Sequence, residues 1–188
     1  CVLHKSEYEV LNDWDTYGMK QTGSCSVRIN ELFVPEYKLQ SFTVNKEGHT
    51  FKGVTTNPNL MYQIPTPAIG GHGLAGCAIG GAQLCLDLLI EWIEKRSTST
   101  SNMKMSDIPT IHNRIGEIAS RIDAARLLLR NDCIEVEKLM NKDGEISTDN
   151  KLKYKRNAAY AVQITLEAIS IIQQVSGANG IYNRHPIT

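Results

Sequence analysis

Apolar residues recur along the second half of the chain at helical spacing. Ile108, Ile111, Ile115, Ile118, Ile122, Ala125, Leu129, Cys133, Val136 and Met140 follow one another in steps of three and four, with one extra step of four after Leu129. That period predicts an α-helix over Ile108–Met140 burying one continuous stripe against other helices. Two further long apolar segments, Ala68–Arg96 and Lys151–Val175, supply partners. Ser97-Thr98-Ser99-Thr100-Ser101-Asn102 breaks the first helix. Asp107 is placed to cap the second, with Pro109 tolerated in its first turn. Asn141-Lys142-Asp143-Gly144 ends the second helix, and Gly144 is available for a left-handed residue. The last helix starts at Thr148 or Asp149, reaches about Ser176 and stops at Gly177-Ala178-Asn179-Gly180. Three helices in up-down-up order form most of an antiparallel bundle, which usually closes with four. The fourth is expected beyond Thr188.

The first 55 or so residues carry a shorter period. Val27 and Ile29, with Cys25 as a further inward candidate, alternate with Ser26, Arg28 and Asn30, as in a half-buried strand. Val2-Leu3-His4 and Tyr8–Leu11 are short strand candidates. Leu32-Phe33-Val34 runs into Pro35, which limits pairing. Lys38–Val44 and His49–Val54 flank a polar turn, Asn45-Lys46-Glu47-Gly48. Strands this few and short make part of a β-domain whose first strands are missing. Pro58, Pro65 and Pro67 mark a connection. The expected division is therefore 1–57 partial β-domain, 58–67 linker and 68–188 helical bundle. The start of the bundle, Gly70-Gly71-His72-Gly73 with Gly76, Gly80 and Gly81, allows close approach of another helix or a flat ligand, and helix packing is preferred.

Composition narrows the class. Hydrophobic residues make up 41% and charged residues 21% of 188, ordinary for a globular protein. Lys+Arg and Asp+Glu both number 20, and no basic cluster or stacking aromatic stripe occurs, which argues against nucleic acid as a partner. Ala68–Ile93 carries His72, Gln83, Asp87 and Glu91, which favours a core helix over a membrane span. Five cysteines, an odd number without metal-type spacing, argue against a disulfide framework and a metal site and for the reducing cytoplasm. Cys77, Cys85 and Cys133 read as small buried hydrophobes. The absence of an initiator Met suggests a piece of a longer polypeptide.

Candidate chemistry is confined to a few places. Arg96 at a helix end, followed by Ser97, Thr98 and further hydroxyls, offers a cation and a row of donors suited to a phosphate. The plain alternative is a solvated loop with a cation at the helix C-terminus. Thr22-Gly23-Ser24 can present hydroxyls and a close backbone N–H, or can be a simple turn. His72 and His185 are candidate acid/base groups, while His112 lies off the apolar stripe and is expected at the surface. No nucleophile elbow, phosphate loop, zinc motif or carboxylate pair is present.

The stretch Asp13-Trp14-Asp15-Thr16-Tyr17-Gly18-Met19-Lys20-Gln21-Thr22-Gly23-Ser24, with Val27 and Leu32-Phe33-Val34-Pro35-Glu36, resembles a segment of the acyl-CoA dehydrogenase superfamily. The resemblance is closest to its branch of flavin-dependent monooxygenases. Gly80-Gly81-Ala82, Ile115-Gly116-Glu117, Arg121–Leu129 and Gly177–Pro186 are similar to the family's bundle segments. The resemblance implies an α+β chain: the second half of a middle β-domain, then an antiparallel C-terminal helical bundle with three of four long helices. It implies a homotetramer, with flavin between the β-domain and the bundle. True dehydrogenases carry Arg-x-Gln-Phe-Gly after the first bundle helix. Here Lys95-Arg96-Ser97-Thr98-Ser99-Thr100 keeps the Arg and lacks the rest, which resembles the monooxygenase branch.

The implied protein is an oxygenase component that takes reduced FMN or FAD from a separate flavin reductase. With molecular oxygen it would form a flavin C4a-hydroperoxide and oxidise a small organic substrate. Arg96, Ser97 and Thr98 would hold the flavin phosphate, and Thr22 and Ser24 would lie near the ring or substrate. The catalytic residue is expected outside this chain, with His72 the candidate inside it, so the piece alone is expected to be inactive. An FAD-dependent acyl-CoA dehydrogenase and a non-catalytic helical assembly module are the alternatives.

Overall fold

A computed structural model describes residues 1–39, 56–98, 101–183, 185 and 187. The chain divides into two units, Cys1–Thr56 and Asn57–Thr188.

The described part of the first unit is thinly structured. β1 (Glu9–Val10) pairs antiparallel with β2 (Val27–Arg28), Glu9 opposite Arg28 and Val10 opposite Val27. The Leu11 N–H extends the ladder to the Ser26 carbonyl at 2.8 Å, and Arg28 meets Glu9 at 3.0 Å. Val2-Leu3-His4 forms no strand; His4 instead caps a 3₁₀ turn over Lys5–Glu7. Leu32-Phe33-Val34 also stays outside any ladder, and a 3₁₀ turn over Glu36–Lys38 follows Pro35. Pro35 has no N–H to donate, and Glu31 just upstream sits at φ 41°, so the backbone leaves the extended region before a ladder can grow. The rest of the Lys38–Val44 and His49–Val54 pair lies outside the described residues. No residue in 1–39 is buried, and Val10, Val27 and Phe33 stand exposed.

The second unit is built on three long helices, α1 (Thr66–Glu94), α2 (Pro109–Asp143) and α3 (Thr148–Ser176). The architecture is the expected one: mostly helical, with a two-stranded sheet before the bundle. α3 packs extensively along both α1 and α2, which touch each other less, so the last helix rather than α2 is central. Its inner face suits that place, with small Ala158, Ala161 and Ala168 letting both neighbours approach and Ile164, Ile171 and Ile172 filling the space between. α1 contributes Ala75, Ile79, Ala82, Leu86, Leu89 and Ile93, and α2 contributes Ile118, Ile122, Ala125 and Leu129. A second cluster at the other end joins Ala68, Val136, Met140, Ile146 and Tyr154.

The helix ends follow local chemistry. α2 starts from Ile108 with Pro109 first, and Asp107 belongs to a 3₁₀ turn over Met105–Asp107 instead of capping the helix. His112 is exposed and holds that turn through Nε2 and the Ser106 carbonyl at 2.5 Å. Gly144 ends α2 at φ 69°, its N–H on the Met140 carbonyl at 3.1 Å. Ser147 caps α3 by accepting the Asn150 N–H, and Gly177 ends it.

Further expectations need correction. Cys133 is exposed, and Asp132 takes the inward position between Leu129 and Val136. The helix turns by 3.6 residues, so the step after Leu129 is three, not four, and a carboxylate enters the core. Cys77 is exposed and Cys85 half-buried, so neither is the fully buried hydrophobe expected. Gly71 alone of the glycines in the Gly-rich start of α1 faces another helix, where an added Cβ would stand 3.5 Å from the Ala158 methyl. At Gly73, Gly76, Gly80 and Gly81 a side chain would meet open space. They lie with Leu74, Cys77 and Leu84 away from the core, and α1 is apolar on both sides. By length and composition α1 is also apolar enough to cross a membrane, the kind of surface that a core helix presents when further helices pack on it.

Candidate functional site

The end of α1 gathers a cation, two aromatic rings and a hydroxyl-bearing loop. Trp92 and Arg96 lie one turn apart, and the Arg96 guanidinium carbon stands 4.9 Å from the centre of the indole ring. Arg96 is exposed and forms no ion pair among the described residues. Its backbone closes a narrow loop: the Arg96 carbonyl accepts from the Met105 N–H at 2.9 Å, and Ser97 bridges Lys104. Thr98 fastens the loop from inside. Its N–H donates to the Met103 carbonyl at 2.8 Å, its Oγ1 accepts the Met103 N–H at 3.2 Å, and the same oxygen pairs with Ser101 Oγ at 2.6 Å. Ser97 is exposed. Arg96 and Ser97 are thus tied to Met105 and Lys104 through their backbones, and Thr98 bonds across to Met103 and Ser101.

His185 completes this cluster from the far end of the chain. Its ring meets Trp92 edge-on, with centroids 5.1 Å apart, and 7% of the residue is exposed. The short turn after α3 brings it there, the His185 N–H donating to the Tyr182 carbonyl at 2.8 Å. Nδ1 accepts the Ile187 N–H at 3.4 Å. Nε2 is buried and has no partner among the described residues. Burial, and then the Arg96 charge, hold the imidazole below its ordinary pKa, so the ring is neutral near pH 7. With Nδ1 accepting, the neutral ring carries its proton on Nε2.

His72 sits elsewhere, inside the bundle. Its Nε2 donates to Asp132 Oδ2 at 3.1 Å, and Asn157 Nδ2 donates to Asp132 Oδ1 at 2.8 Å. Arg156 in turn donates to Asn157 Oδ1 at 2.9 Å. Asp132 is wholly buried and the His72 side chain is 9% exposed, so one residue from each helix meets at a single carboxylate. Nearby Tyr154 is fully buried, and burial pushes its hydroxyl up to about 12.

Thr22 and Ser24 belong to the first unit. Thr22 Oγ1 donates to the Met19 carbonyl at 2.9 Å, and Ser24 Oγ donates to Thr22 Oγ1 at 3.2 Å. Trp14 Nε1 donates to the same Met19 carbonyl at 3.1 Å, and Asp13 Oδ1 accepts the Ser26 N–H at 2.9 Å. Asp13 is held below the usual carboxylate range by those bonds to Ser26. Met19 at φ 55° and Gly23 at φ 58° give the segment its tight double turn. Both hydroxyl protons are used inside it. An open apolar cleft in the same unit, lined by Cys1, Val2, Leu3, Tyr8, Val27 and Ile29, contains none of the candidate residues. Among the described residues no three His, Cys, Asp or Glu side chains are grouped to hold a metal.

Arg96 stands out in the sequence, whereas its contact with Trp92 is signalled only by a spacing of four, a contact spacing on a helix. Nothing local links either residue to His185.

Residues 72–188 match the family "Acyl-CoA dehydrogenase, C-terminal domain", and the chain belongs to that family. Its relatives include the FADH(2)-dependent resorcinol hydroxylase, oxygenase component, of Rhizobium sp. (strain MTP-10005), 25% identical over 97% of this chain and 46% of that protein. Another is the flavin-dependent monooxygenase, oxygenase subunit HsaA, of Mycobacterium tuberculosis, 27% identical over 99% of this chain and 47% of its own length. The crystal structure of 3-HSA hydroxylase from Rhodococcus sp. RHA1 superposes with a TM-score of 0.84 at 26% identity, covering 97% of this chain and 47% of that one. The chain thus spans about half the length of the curated relatives it matches.

Proposed function

We propose that the protein containing this chain is the oxygenase component of a two-component flavin-dependent monooxygenase. It takes reduced FMN or FAD from a separate reductase and uses molecular oxygen to oxidise a small organic substrate. The observation that carries this is Arg96: a cation with no carboxylate partner among the described residues, held against Trp92 at the end of α1 and followed by Ser97 and Thr98. A guanidinium so placed suits a phosphate, which it can engage through two parallel N–H bonds. The names of relatives that match nearly the whole chain favour the oxygenase over the dehydrogenase.

The chain's own contribution is positioning. Arg96 and Ser97 hold the anionic end of the flavin, and Thr98 keeps the turn in shape. Thr22 and Ser24, in the first unit, keep free acceptor lone pairs on their hydroxyls. The bound reduced flavin supplies the oxygen chemistry. Five free cysteines fit a reducing compartment, the cytoplasm. The outer side of α1 over its first five turns, with Gly73, Cys77, Gly81 and Leu84 and no charged residue before Asp87, supports assembly with further copies into a homotetramer.

The test is anaerobic titration of the full-length protein with reduced FMN and FAD. Arg96→Ala is expected to weaken binding by about 1.5–3 kcal/mol, the scale of a charge-assisted hydrogen bond. Unchanged affinity would return the bundle to a helical assembly module. A yellow preparation bleached by acyl-CoA would assign the dehydrogenase instead.

A further inference from the structure

We propose that His185 is a second flavin-phosphate ligand, its Nε2–H donating to a phosphate oxygen that Arg96 also engages. The proposal rests on the assignment of Arg96 to the phosphate and extends it to a residue 89 positions away. Three observations support it. His185 and Arg96 contact the same indole, with the His185 ring edge-on at 5.1 Å and the Arg96 guanidinium 4.9 Å from the ring centre, and the Arg96 charge acts on the imidazole. The Ile187 N–H occupies Nδ1, which leaves the ring proton on Nε2. That Nε2 is buried without a partner among the described residues, and a buried donor left unpaired is costly enough that folded proteins rarely keep one. A phosphate oxygen held by Arg96 is an acceptor of the right charge for it.

The pair has complementary duties. Arg96 is exposed and brings charge, which draws the anion from solution. His185 is buried and neutral, so it adds direction without a second cation to desolvate. A neutral imidazole also bonds the phosphate while leaving its charge for Arg96 to balance. The ring's edge-on packing against Trp92 fixes the direction of that bond.

The experiment is an anaerobic calorimetric titration of full-length wild-type, Arg96→Ala, His185→Phe, His185→Gln and His185→Asn proteins with dithionite-reduced FMN and reduced riboflavin, which lacks the phosphate. Far-UV circular dichroism checks the fold of each variant. His185→Phe is expected to weaken FMN about tenfold or more and leave riboflavin unchanged. His185→Gln, whose amide nitrogen lies near the Nε2 position, should keep most of the FMN affinity, and His185→Asn, which is shorter, should lose it. Equal losses for FMN and riboflavin would overturn the phosphate contact. If Arg96→Ala weakens FMN while all three His185 variants bind like wild type, the Arg96 assignment stands and the His185 proposal fails. If Arg96→Ala has no effect, the assignment beneath both is wrong. Should His185→Phe fail to fold, the Gln and Asn variants still decide, because similar affinity in both overturns the proposal.

Discussion

At the scale of single residues, His72 and His185 show how position decides use. His72 gives its Nε2 to a buried carboxylate, whereas His185 keeps its Nε2 unpaired among the described residues. Removing Asp132 should therefore cost far more than removing a surface acid. Asp132→Ala would orphan His72 and Asn157 inside the bundle, and the free energy of unfolding is expected to fall by about 3 kcal/mol or more in a urea titration. His185 predicts a pH dependence of definite sign. Its folded-state pKa lies below the ordinary 6.5, so the unfolded chain binds more protons as pH falls through that range. Its contribution to stability is therefore present above about pH 6.5 and is lost as pH falls towards the depressed folded-state value. The slope of Tm against pH below 6.5 should be shallower in His185→Gln than in wild type.

At the scale of elements, the three helices were legible because burial repeats with the backbone period. The expected Ile108–Met140 corresponds to Pro109–Asp143, and Gly144 and Gly177 end their helices where glycine was anticipated. Gly144 stands at φ 69°, where a Cβ is strained. Gly144→Ala is expected to destabilise by about 1 kcal/mol, measured by chemical denaturation, with Gly144→Asn milder because Asn tolerates the left-handed region. The strands were less legible. Alternation marks a strand only when one face is buried, and Val10 and Val27 are exposed, so Val2–His4 carried the same signal as β1 without forming a strand, only the Val2 N–H reaching the Lys38 carbonyl at 2.9 Å. Asp132 was hidden for a different reason. Its partners lie 60 and 25 positions away, and a pattern that counts apolar residues skips a carboxylate that long-range bonds make buriable. The candidate site was half legible for the same reason: Arg96 advertises itself beside its hydroxyls, but the indole and imidazole around it come together only in the folded bundle.

At the scale of the whole molecule, α1 has more apolar surface than this chain covers. Leu74 and Leu84 are 70% and 59% exposed, which is high for leucines on a helix whose opposite side is core. Leu84→Glu is expected to shift the full-length protein towards smaller species in sedimentation velocity while leaving its helical content unchanged. A wild-type protein that sediments as a monomer would remove the basis for that expectation.

The meeting of His72, Asp132 and Asn157 also bears on how the bundle comes apart. One member comes from each helix. An intermediate with α2 and α3 docked and α1 loose would hold Asp132 with only Asn157 beside it, and one with α1 and α2 docked would lack Asn157. Both partial assemblies leave a dehydrated carboxylate under-bonded, which raises their energy relative to the complete set and to the open chain alike. The node thus acts against partial unfolding. Backbone amides flanking it on all three helices should share one protection factor in hydrogen exchange and open together, as a single cooperative unit.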